Sequence, residues 1–437
     1  MLTPRRFAAA LVLGLVVRVA TLPLPGHDDV VLWKVWSYAA THDVLGMYGV
    51  GGTPPTRGVV RFRDTAVTVD YPPFFLYEWA IVGGTYRALF PKYPNTLALT
   101  VAVKLPSLIA NLALTAVFFV VVRRASGRVE PARWAALAYW LNPATIVGGE
   151  MLGYVDPLYF LPAIGGIALA SFGRPLPAGV LVAMAVATKP QGILVGPAFA
   201  LALWQGGGVR AVVSAAATFC GTLAVIVLPY YVHDALPNMW LAFGSFDERR
   251  DTMSAYAANV GWIINWWLRS RMGLPDVGFP RAFLRFVPVP LSITRFRALG
   301  YPNPRPIGRI AIIAATAWAM WVTRRRKELA FAAALGAFTV HAFFVLGTGM
   351  HEHHQLLEVP LLVLAAALRP AFRTLYFVVS GIVALNINYV YGAGNGIGWA
   401  VPRMITGIDL SVLLSLFNVG VLIWFAHRLR AEATSGR

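Results

Sequence analysis

The sequence predicts an all-α, polytopic membrane protein, and three observations support this fold class. Of the 437 residues, 58% are hydrophobic and only 13% are charged, whereas a soluble protein carries about 25% charged residues. Apolar segments close to the length that crosses about 30 Å of hydrocarbon recur along the whole chain. Arginine is concentrated at the ends of these segments, as the positive-inside rule predicts for loops on the cytoplasmic side.

The same composition excludes several other classes of protein. The net charge of +18 lies at segment ends, so it does not indicate a nucleic-acid partner. The single cysteine, Cys220, lies in an apolar run, which excludes a disulfide framework and a cysteine-based zinc site. Residues 7–22 resemble a signal peptide, but Arg18 interrupts the run and residues 22–25 make a poor cleavage site. We therefore expect an uncleaved first span.

About twelve spans are predicted from apolar runs. They lie near residues 5–23, 101–122, 131–147, 157–172, 175–190, 192–205, 211–230, 306–323, 328–346, 356–369, 372–391 and 409–427. Basic clusters at alternate ends of these spans place both termini in the cytoplasm. The chain then divides into a transmembrane module over 1–230 with a first outer loop at 24–98, a large outer loop over 231–305, and a C-terminal transmembrane bundle over 306–437.

One apolar segment, residues 74–93, fits this arrangement poorly. Counting it as a span would move Arg123 and Arg124 to the outer side, against the positive-inside rule. The segment also contains Glu78 and Arg87. We predict an amphipathic helix that lies in the membrane interface; a true span with a local charge violation is the alternative.

The acidic residues provide the first candidates for chemistry, and five of those in outer loops or at outer ends of spans are singled out. These are Asp28, Asp29, Asp70, Asp156 and Glu352. An ionisable group at such a position is a functional candidate, since its burial there is costly without a partner. The alternative for an aspartate that begins a helix is a solvated helix cap.

The stretch after Pro25 combines acids with aromatic residues. If this stretch is helical, Asp29, Trp33 and Trp36 share one face. That arrangement predicts an acid at the end of an aromatic stripe along the lipid interface.

Further outer segments add rigid or cationic groups. The prolines that follow Asp70 and Tyr71 fix the direction of the chain. Lys189 and Gln191 flank a proline that interrupts an apolar run, and Lys104 begins a span on the same side. The segment 351–355 contains three histidines, but it lacks the second histidine of a zinc-protease motif. A role beside an anionic substrate group is therefore favoured over a metal site.

Six motifs follow one another in a recognisable order. They are Asp29 with Trp36, Asp70 to Pro73, Gly153 with Asp156, Leu158 and Tyr159, Lys189 to Gln191, Ser254 to Trp262, and His351 to His353. In this order the chain resembles the C-type (GT-C) membrane glycosyltransferases, in particular dolichyl-phosphate-glucose glucosyltransferases and bacterial polyprenyl-phosphate-mannose mannosyltransferases. The resemblance covers about residues 1–365. It departs from the pattern at Ala258-Asn259, which is offset by one, and at His353, which replaces an arginine or lysine.

The resemblance implies transfer of a hexose, mannose in the closest pattern, from a polyprenyl-phosphate carrier to an outer acceptor. Such a reaction needs one base for the acceptor hydroxyl and cations for the departing phosphate. Direct displacement would invert the anomeric centre. No metal or further cofactor is expected, because arginine, lysine and histidine can hold a monophosphate.

The resemblance also implies roles for individual residues. Asp29 is the expected base, Asp28 is the second choice, and Asp156 would support the acceptor or the base. Lys189, Arg249, Arg250 and His351 would bind the donor phosphate, with Glu352 orienting the ring of His351. The remaining candidates for substrate contact are Gln191, Asp70, Tyr71, Lys104, Trp33 and Trp36, and the tryptophans, with Trp262, could equally belong to the interfacial belt.

Three other readings stay open at this stage. A transporter or lipid flippase would place charges within spans and show paired halves. A diphosphate-dependent transferase would depend on a metal. A non-enzymatic assembly subunit would leave the outer acids without a role.

If the chain is a glycosyltransferase, its expected partners are the lipid-linked sugar, the bilayer and an acceptor that is a glycolipid, a polysaccharide or a protein. The arginine- and alanine-rich composition favours a bacterial cell membrane.

Overall fold

The computed structural model describes residues 3–244, 251–272, 290–392, 404–405 and 408–435. Most of these residues are helical and very few are in strands, which confirms the predicted all-α class. Six helical stretches are long and apolar enough to cross a membrane. They are Leu97–Ser126, Pro190–Val232, Pro304–Thr323, Leu329–Leu346, Pro370–Tyr391 and Leu410–Thr434. The protein is therefore membrane-embedded by length and composition, while the count of about twelve spans stays a prediction.

The α-helices of the described ranges mostly follow one another with short connections, the main exception being residues 44–72 between α2 and α3. In chain order they are α1 (Pro4–Thr21), α2 (Asp29–Asp43), α3 (Pro73–Leu89), α4 (Leu97–Ser126), α5 (Val129–Trp140), α6 (Pro143–Ile146), α7 (Asp156–Ser171), α8 (Pro175–Thr188), α9 (Gly196–Val232), α10 (Leu236–Gly244), α11 (Val260–Met272), α12 (Ile293–Ala298), α13 (Pro304–Thr323), α14 (Leu329–Leu346), α15 (Glu358–Leu368), α16 (Arg373–Tyr391) and α17 (Leu410–Thr434). Single 3₁₀ turns lie at Gly46–Tyr48, Pro190–Val195 and Pro370–Phe372, and a π-helical turn lies at Val147–Met151.

Glycine sets the main interruption among these helices. α9 contains both segments that were predicted as separate spans, 192–205 and 211–230. The chain breaks between them at Gly207 and Gly208, where Gly208 has φ of 58°. Only glycine adopts this left-handed conformation without steric cost, so the two apolar runs are separated at the expected place.

The region between α1 and α4 contains more structure than the sequence predicted. β1 (Val59–Phe62) and β2 (Thr65–Thr68) form an antiparallel ribbon in which Val59 is opposite Thr68. The predicted helix near 74–93 is α3, and its apolar face packs on α2 through Phe75, Trp79 and Tyr86.

The core of the bundle lies around α14 and α15. Nearly every side chain of both helices is buried, and these helices contact α5, α9, α16 and α17. Large apolar side chains are exposed on the outer helices instead, as on α1, α9 and α13. An apolar exterior of this kind fits contact with lipid.

Ionisable pairs lie within the apolar helices. Arg18 of α1 meets Glu150, and both side chains have no exposed surface. His341 of α14 lies 2.9 Å from Glu358 of α15, again without exposure. Buried charges are stable only when paired and hydrogen-bonded, and Asn111 and Gln355 provide further bonds to Glu150 and Glu358.

The two ends of the bundle differ in chemistry. At one end, the segments that carry His27, Lys189, His351 and Tyr391 meet. At the other end, Gln205 bonds to the carbonyl of Arg324, and Arg326 and Arg369 contact the C-terminal end of α17. The first of these ends thus gathers histidines around a lysine, and the second gathers several arginines.

Candidate functional site

A polar cavity of about 340 Å³ lies where five chain segments meet, and it is called the site cavity below. The segments are the start of α2, the turn before α3, the turn after α8, the loop between α14 and α15, and the end of α16. Its lining residues are His27, Asp28, Asp29, Leu32, Asp70, Tyr71, Lys189, Pro190, Gln191, His351, Glu352, His353, His354 and Tyr391. Most of the predicted site residues therefore line one cavity.

Asp29 is the best-placed carboxylate of the cavity. It occupies the first turn of α2, and its Oδ2 lies 3.2 Å from Nε2 of His27. The backbone N–H of Asp29 donates to Nδ1 of the same ring at 3.0 Å, so the neutral ring carries its proton on Nε2 and donates it to the carboxylate. Burial alone would raise the pKa of Asp29, but His27, assisted by Lys189, lowers it to about 2.

His27 is fixed by its neighbours on both sides. Its backbone N–H donates to the carbonyl of Leu152, and its ring contacts Tyr154 and Tyr391 at centroid distances of 4.2 and 5.2 Å. The His27 ring is therefore held against Asp29 by packing from other helices.

Asp28 does not serve as a helix cap. It occupies the N-cap position of α2, yet its side chain makes no capping hydrogen bond and its backbone is already helical. Its side chain is exposed and lines the site cavity. The cap interpretation of the two aspartates is therefore not supported, and both carboxylates face the cavity.

Asp156 has a different position from the one expected. Both of its oxygens accept hydrogen bonds from Nζ of Lys189 at 2.9 Å, and the two side chains are 1% and 3% exposed. Asp156 does not line the cavity, whereas Lys189 does. Nζ of Lys189 also lies 5.9 Å from the ring of Tyr71. Asp156 is thus a positioning residue that holds the ammonium group at the cavity wall.

The loop between α14 and α15 forms another wall. Oε1 of Glu352 accepts hydrogen bonds from Tyr154 and from Nδ1 of His353, the latter at 2.8 Å. Nδ1 of His351 lies 4.0 Å from Oε2 of Glu352, and that oxygen is buried without a hydrogen-bond partner. Glu352 therefore orients His353 through a hydrogen bond, and its second oxygen lies at ion-pair distance from His351, so its expected orienting role toward His351 stays a prediction.

His353 and His354 complete this wall. The His353 ring stacks on Tyr154 at 4.1 Å, and burial, with the nearby cations of Lys189 and His351, holds its pKa well below the usual range. His353 is therefore a neutral ring at ordinary pH. Nε2 of His354 lies 3.4 Å from the side-chain nitrogen of Gln191, which joins this loop to the turn after α8.

The Ser254–Trp262 motif lies against the histidine loop. The N–H of Ala255 donates to the carbonyl of Met350, and the side chain of Asn259 donates to the carbonyls of Phe344 and Gly347. This motif therefore positions the loop without lining the cavity.

Four predicted contacts are corrected by the structure. Lys104 is buried and donates to the carbonyls of Leu24 and Met151, so it fastens loops and does not line the cavity. Trp33 and Trp36 are fully buried in the packing between α2 and α3. Trp262 is 1% exposed and donates to Ser411. Burial removes these side chains from the cavity, so stacking on a sugar is not open to them. Arg249 and Arg250 lie outside the described residues.

Two arginines near the site were missed from the sequence. Arg305 and Arg309 line a cavity of about 270 Å³, called the side groove below, together with apolar residues of α13, α14 and the turn after α8. Pro190, Gln191 and His354 line both the side groove and the site cavity. A signal was present: two arginines one turn apart begin a predicted span on the face that the positive-inside rule leaves poor in arginine.

The arrangement offers groups that could bind an anionic, polar substrate and accept a proton from it. It places an ionised carboxylate, an ammonium group and several imidazoles around one space. Within the described ranges, no group of three histidine, cysteine or acidic side chains is placed to hold a metal ion. No family model matches the chain, and no curated protein matches it either.

Proposed function

We propose that this protein is a C-type membrane glycosyltransferase that moves a hexose, mannose by resemblance, from a polyprenyl-phosphate carrier to an extracytoplasmic hydroxyl acceptor. The observation that carries the proposal is the convergence of Asp29, Lys189 and His351 on one cavity from three motifs that are distant in sequence. A twelve-span architecture with an outer active site is part of the same proposal.

Asp29 is proposed as the base on grounds of access and ionisation. Its carboxylate is charged at any working pH, because its pKa is about 2. Asp156 is already bonded to Lys189 through both oxygens, so it cannot take a proton from an acceptor without losing that pair. Asp28 remains the second choice, since it lines the same cavity.

The proposed step needs no acid for the leaving group. The acceptor oxygen attacks the anomeric carbon, the bond from that carbon to the phosphate oxygen breaks, and the electron pair leaves on the phosphate. The hydroxyl proton goes to the carboxylate of Asp29. The phosphodiester with one negative charge becomes a monoester with two, and Lys189 and His351 stabilise the added charge. Attack opposite the leaving group inverts the anomeric centre.

The side groove supplies a place for the carrier. Its apolar wall includes Ile193, which is 56% exposed, and its rim carries Arg305 and Arg309. A polyprenyl chain would lie along this wall while the phosphate reaches the site cavity past Gln191 and His354. The two arginines would then be close to the anionic end of the carrier.

The test is transfer of labelled mannose from polyprenyl-phosphate-mannose to membrane acceptors by purified protein in vesicles, with a chelator present. We expect Asp29→Asn to lower the rate about 10²–10⁴-fold, the usual contribution of a general base. Asp64→Asn is the matched control, because Asp64 is an exposed aspartate in the β1–β2 turn. Equal rates for Asp29→Asn and wild type would contradict the assignment of the base. If neither protein made product, the glucose carrier would be tried next.

A transporter or flippase is the second candidate, and the buried ion pairs favour it. The Arg18–Glu150 and His341–Glu358 pairs lie within apolar helices, where transporters carry their coupling groups. Neither pair lines the site cavity or the side groove. The transport function would be favoured if the lipid carrier crossed the bilayer of the same vesicles and no sugar was transferred from either the mannose or the glucose donor.

A further inference from the structure

A second basic cavity lies at the arginine-rich end of the bundle, away from the site cavity. It has a volume of about 740 Å³ and is called the basal cavity below. Arg6 comes from α1, Arg128 from the turn between α4 and α5, and Arg373 from the start of α16. Three chain segments that are far apart in sequence therefore point arginines at one space.

The charge of the basal cavity is not balanced by its own acid. Glu130 is the acidic residue in its lining, and its carboxylate lies 3.5 Å from Arg133. The Arg373 guanidinium lies 5.0 Å from the centroid of the Trp134 ring, and its Nε is buried without a hydrogen-bond partner. A buried donor without an acceptor is costly, and an anion in the cavity would supply the acceptor.

Membrane topology alone does not account for this arrangement. The positive-inside rule concerns the number of arginines in a loop. It does not require three of them to surround one cavity, nor does it leave a guanidinium nitrogen buried without an acceptor.

An apolar groove next to the basal cavity identifies the class of anion. The groove lies between α1, α4 and α5, has a volume of about 400 Å³, and is lined by side chains such as Phe7, Leu11 and Phe119. Arg133 links the two spaces, because its guanidinium lies 5.9 Å from the Phe7 ring of the groove and 3.5 Å from Glu130 of the basal cavity. A soluble phosphate compound would use only the basal cavity, whereas a phospholipid would fill both.

We propose that the basal cavity binds the phosphate of an anionic phospholipid, with an acyl chain in the groove between α1, α4 and α5. Basic pockets between transmembrane helices bind anionic headgroups through such charges. The site is independent of the transfer reaction and would stabilise the packing of α1 and α16 on α5.

The test is thermal unfolding of the delipidated, full-length protein in detergent, with phosphatidylglycerol, phosphatidylcholine or inorganic phosphate added. We expect phosphatidylglycerol to raise the unfolding temperature in a saturable way. Arg373→Gln and Arg128→Gln should each weaken its apparent affinity about fivefold, the effect of about one surface charge on anionic lipid binding. Arg124→Gln is the matched control, because its guanidinium lies over Phe172 outside the basal cavity.

Three outcomes would overturn the proposal. Equal stabilisation by phosphatidylcholine would show that no headgroup charge is recognised. Equal stabilisation by inorganic phosphate would show a site for a soluble anion. Equal losses of apparent affinity for phosphatidylglycerol in the control and the two variants would show only a general attraction of the lipid to the basic end. Arg128 is exposed, so its variant keeps the test valid if Arg373→Gln does not fold.

Discussion

The ionised state of Asp29 depends on His27. Burial raises the pKa of a carboxyl, and a hydrogen-bond donor or cation beside it lowers that pKa. At Asp29 the second effect is the larger, because Nε2 of His27 lies 3.2 Å away and the ring is held there by Tyr154 and Tyr391. The low pKa of the proposed base is therefore a property of the pair.

We predict that His27→Phe shifts the acid limb of the pH–rate profile upward. In the wild type the Asp29 pKa is about 2, so the carboxylate stays charged and its protonation limits activity only near that pH. Without His27, burial remains while the largest interaction that lowers the pKa is lost, so the pKa rises and the fall in rate begins at a higher pH than in the wild type. Transfer rates measured between pH 4 and pH 8 test this.

The control for that experiment is His27→Gln, which keeps a nitrogen donor but cannot become charged. It should give an intermediate profile. Coinciding profiles for His27→Phe and wild type would mean that His27 does not set the protonation of the catalytic group.

In the Asp156–Lys189 pair, as in the Asp29–His27 pair, the state of one side chain depends on its partner. Both side chains are buried, and removal of one partner of a buried pair costs about 3–5 kcal/mol because the other charge is left unpaired. We predict that Asp156→Asn and Lys189→Gln each lower the unfolding temperature, and that the double variant loses clearly less than the sum. Tryptophan fluorescence during heating in detergent gives the unfolding temperatures of the wild type, the two single variants and the double variant. Additive losses would show that the pair does not exist in the folded protein.

At the scale of elements, the site depends on how closely α2 packs on α3. A Cβ added at Gly83 of α3 would overlap the carbonyl oxygen of Ser37 in α2, whereas a Cβ at the adjacent Gly84 would meet nothing. Absence of a side chain at Gly83 therefore permits the close approach that places Asp29 and Tyr71 at one cavity.

We predict that Gly83→Ala separates α2 from α3 and costs about 1–3 kcal/mol of stability, the usual effect of overpacking. Gly84→Ala is a matched control one residue away, and it should stabilise the helix by about 0.5–1 kcal/mol. Unfolding temperatures and transfer rates of the two variants provide the comparison. A larger loss for Gly84→Ala would contradict the packing of the two helices.

Helices were predictable from this sequence, and their contacts were much less so. Each predicted apolar segment overlaps a described helix, because a run of apolar residues reports directly on helix formation in a membrane. The ribbon β1–β2 was missed. Its strands are four residues long and its turn carries Arg63 at φ of 52°, where glycine or asparagine would have given a signal.

Among the site residues, too, membership of a motif was predictable and tertiary contacts were not. Asp29, Lys189 and His351 were found because short motifs in a known order marked them. Trp33 and Lys104 were misplaced because the spacing of residues on a helix gives a shared face without saying which neighbour covers that face. The pairing of Lys189 with Asp156 is a tertiary contact between α7 and the turn after α8, and no spacing rule reports it.

At the scale of the whole molecule, the distribution of arginines predicts which end faces the cytoplasm. The ends of the helices that carry Arg324, Arg326 and Arg369 lie together with the end of α17. Positively charged loops stay in the cytoplasm, so the opposite end, with the site cavity, would face outward. A lipid-linked sugar and its acceptor would then meet outside the cell membrane.

We predict that a cysteine at Asp64 reacts with a membrane-impermeant maleimide in intact cells, and that a cysteine at Arg325 reacts only after the membrane is opened. The single natural cysteine, Cys220, is first changed to serine, so that each protein has one thiol. Asp64 lies in the turn of the β1–β2 ribbon, which packs on α2, the helix that begins at Asp29, and Arg325 lies between α13 and α14 at the opposite end; both side chains are exposed. Labelling of Arg325→Cys from outside, with Asp64→Cys protected, would reverse the orientation. The site cavity would then face the cytoplasm, where a soluble nucleotide sugar could serve as donor. A lipid carrier would then no longer be needed to bring the sugar to the site.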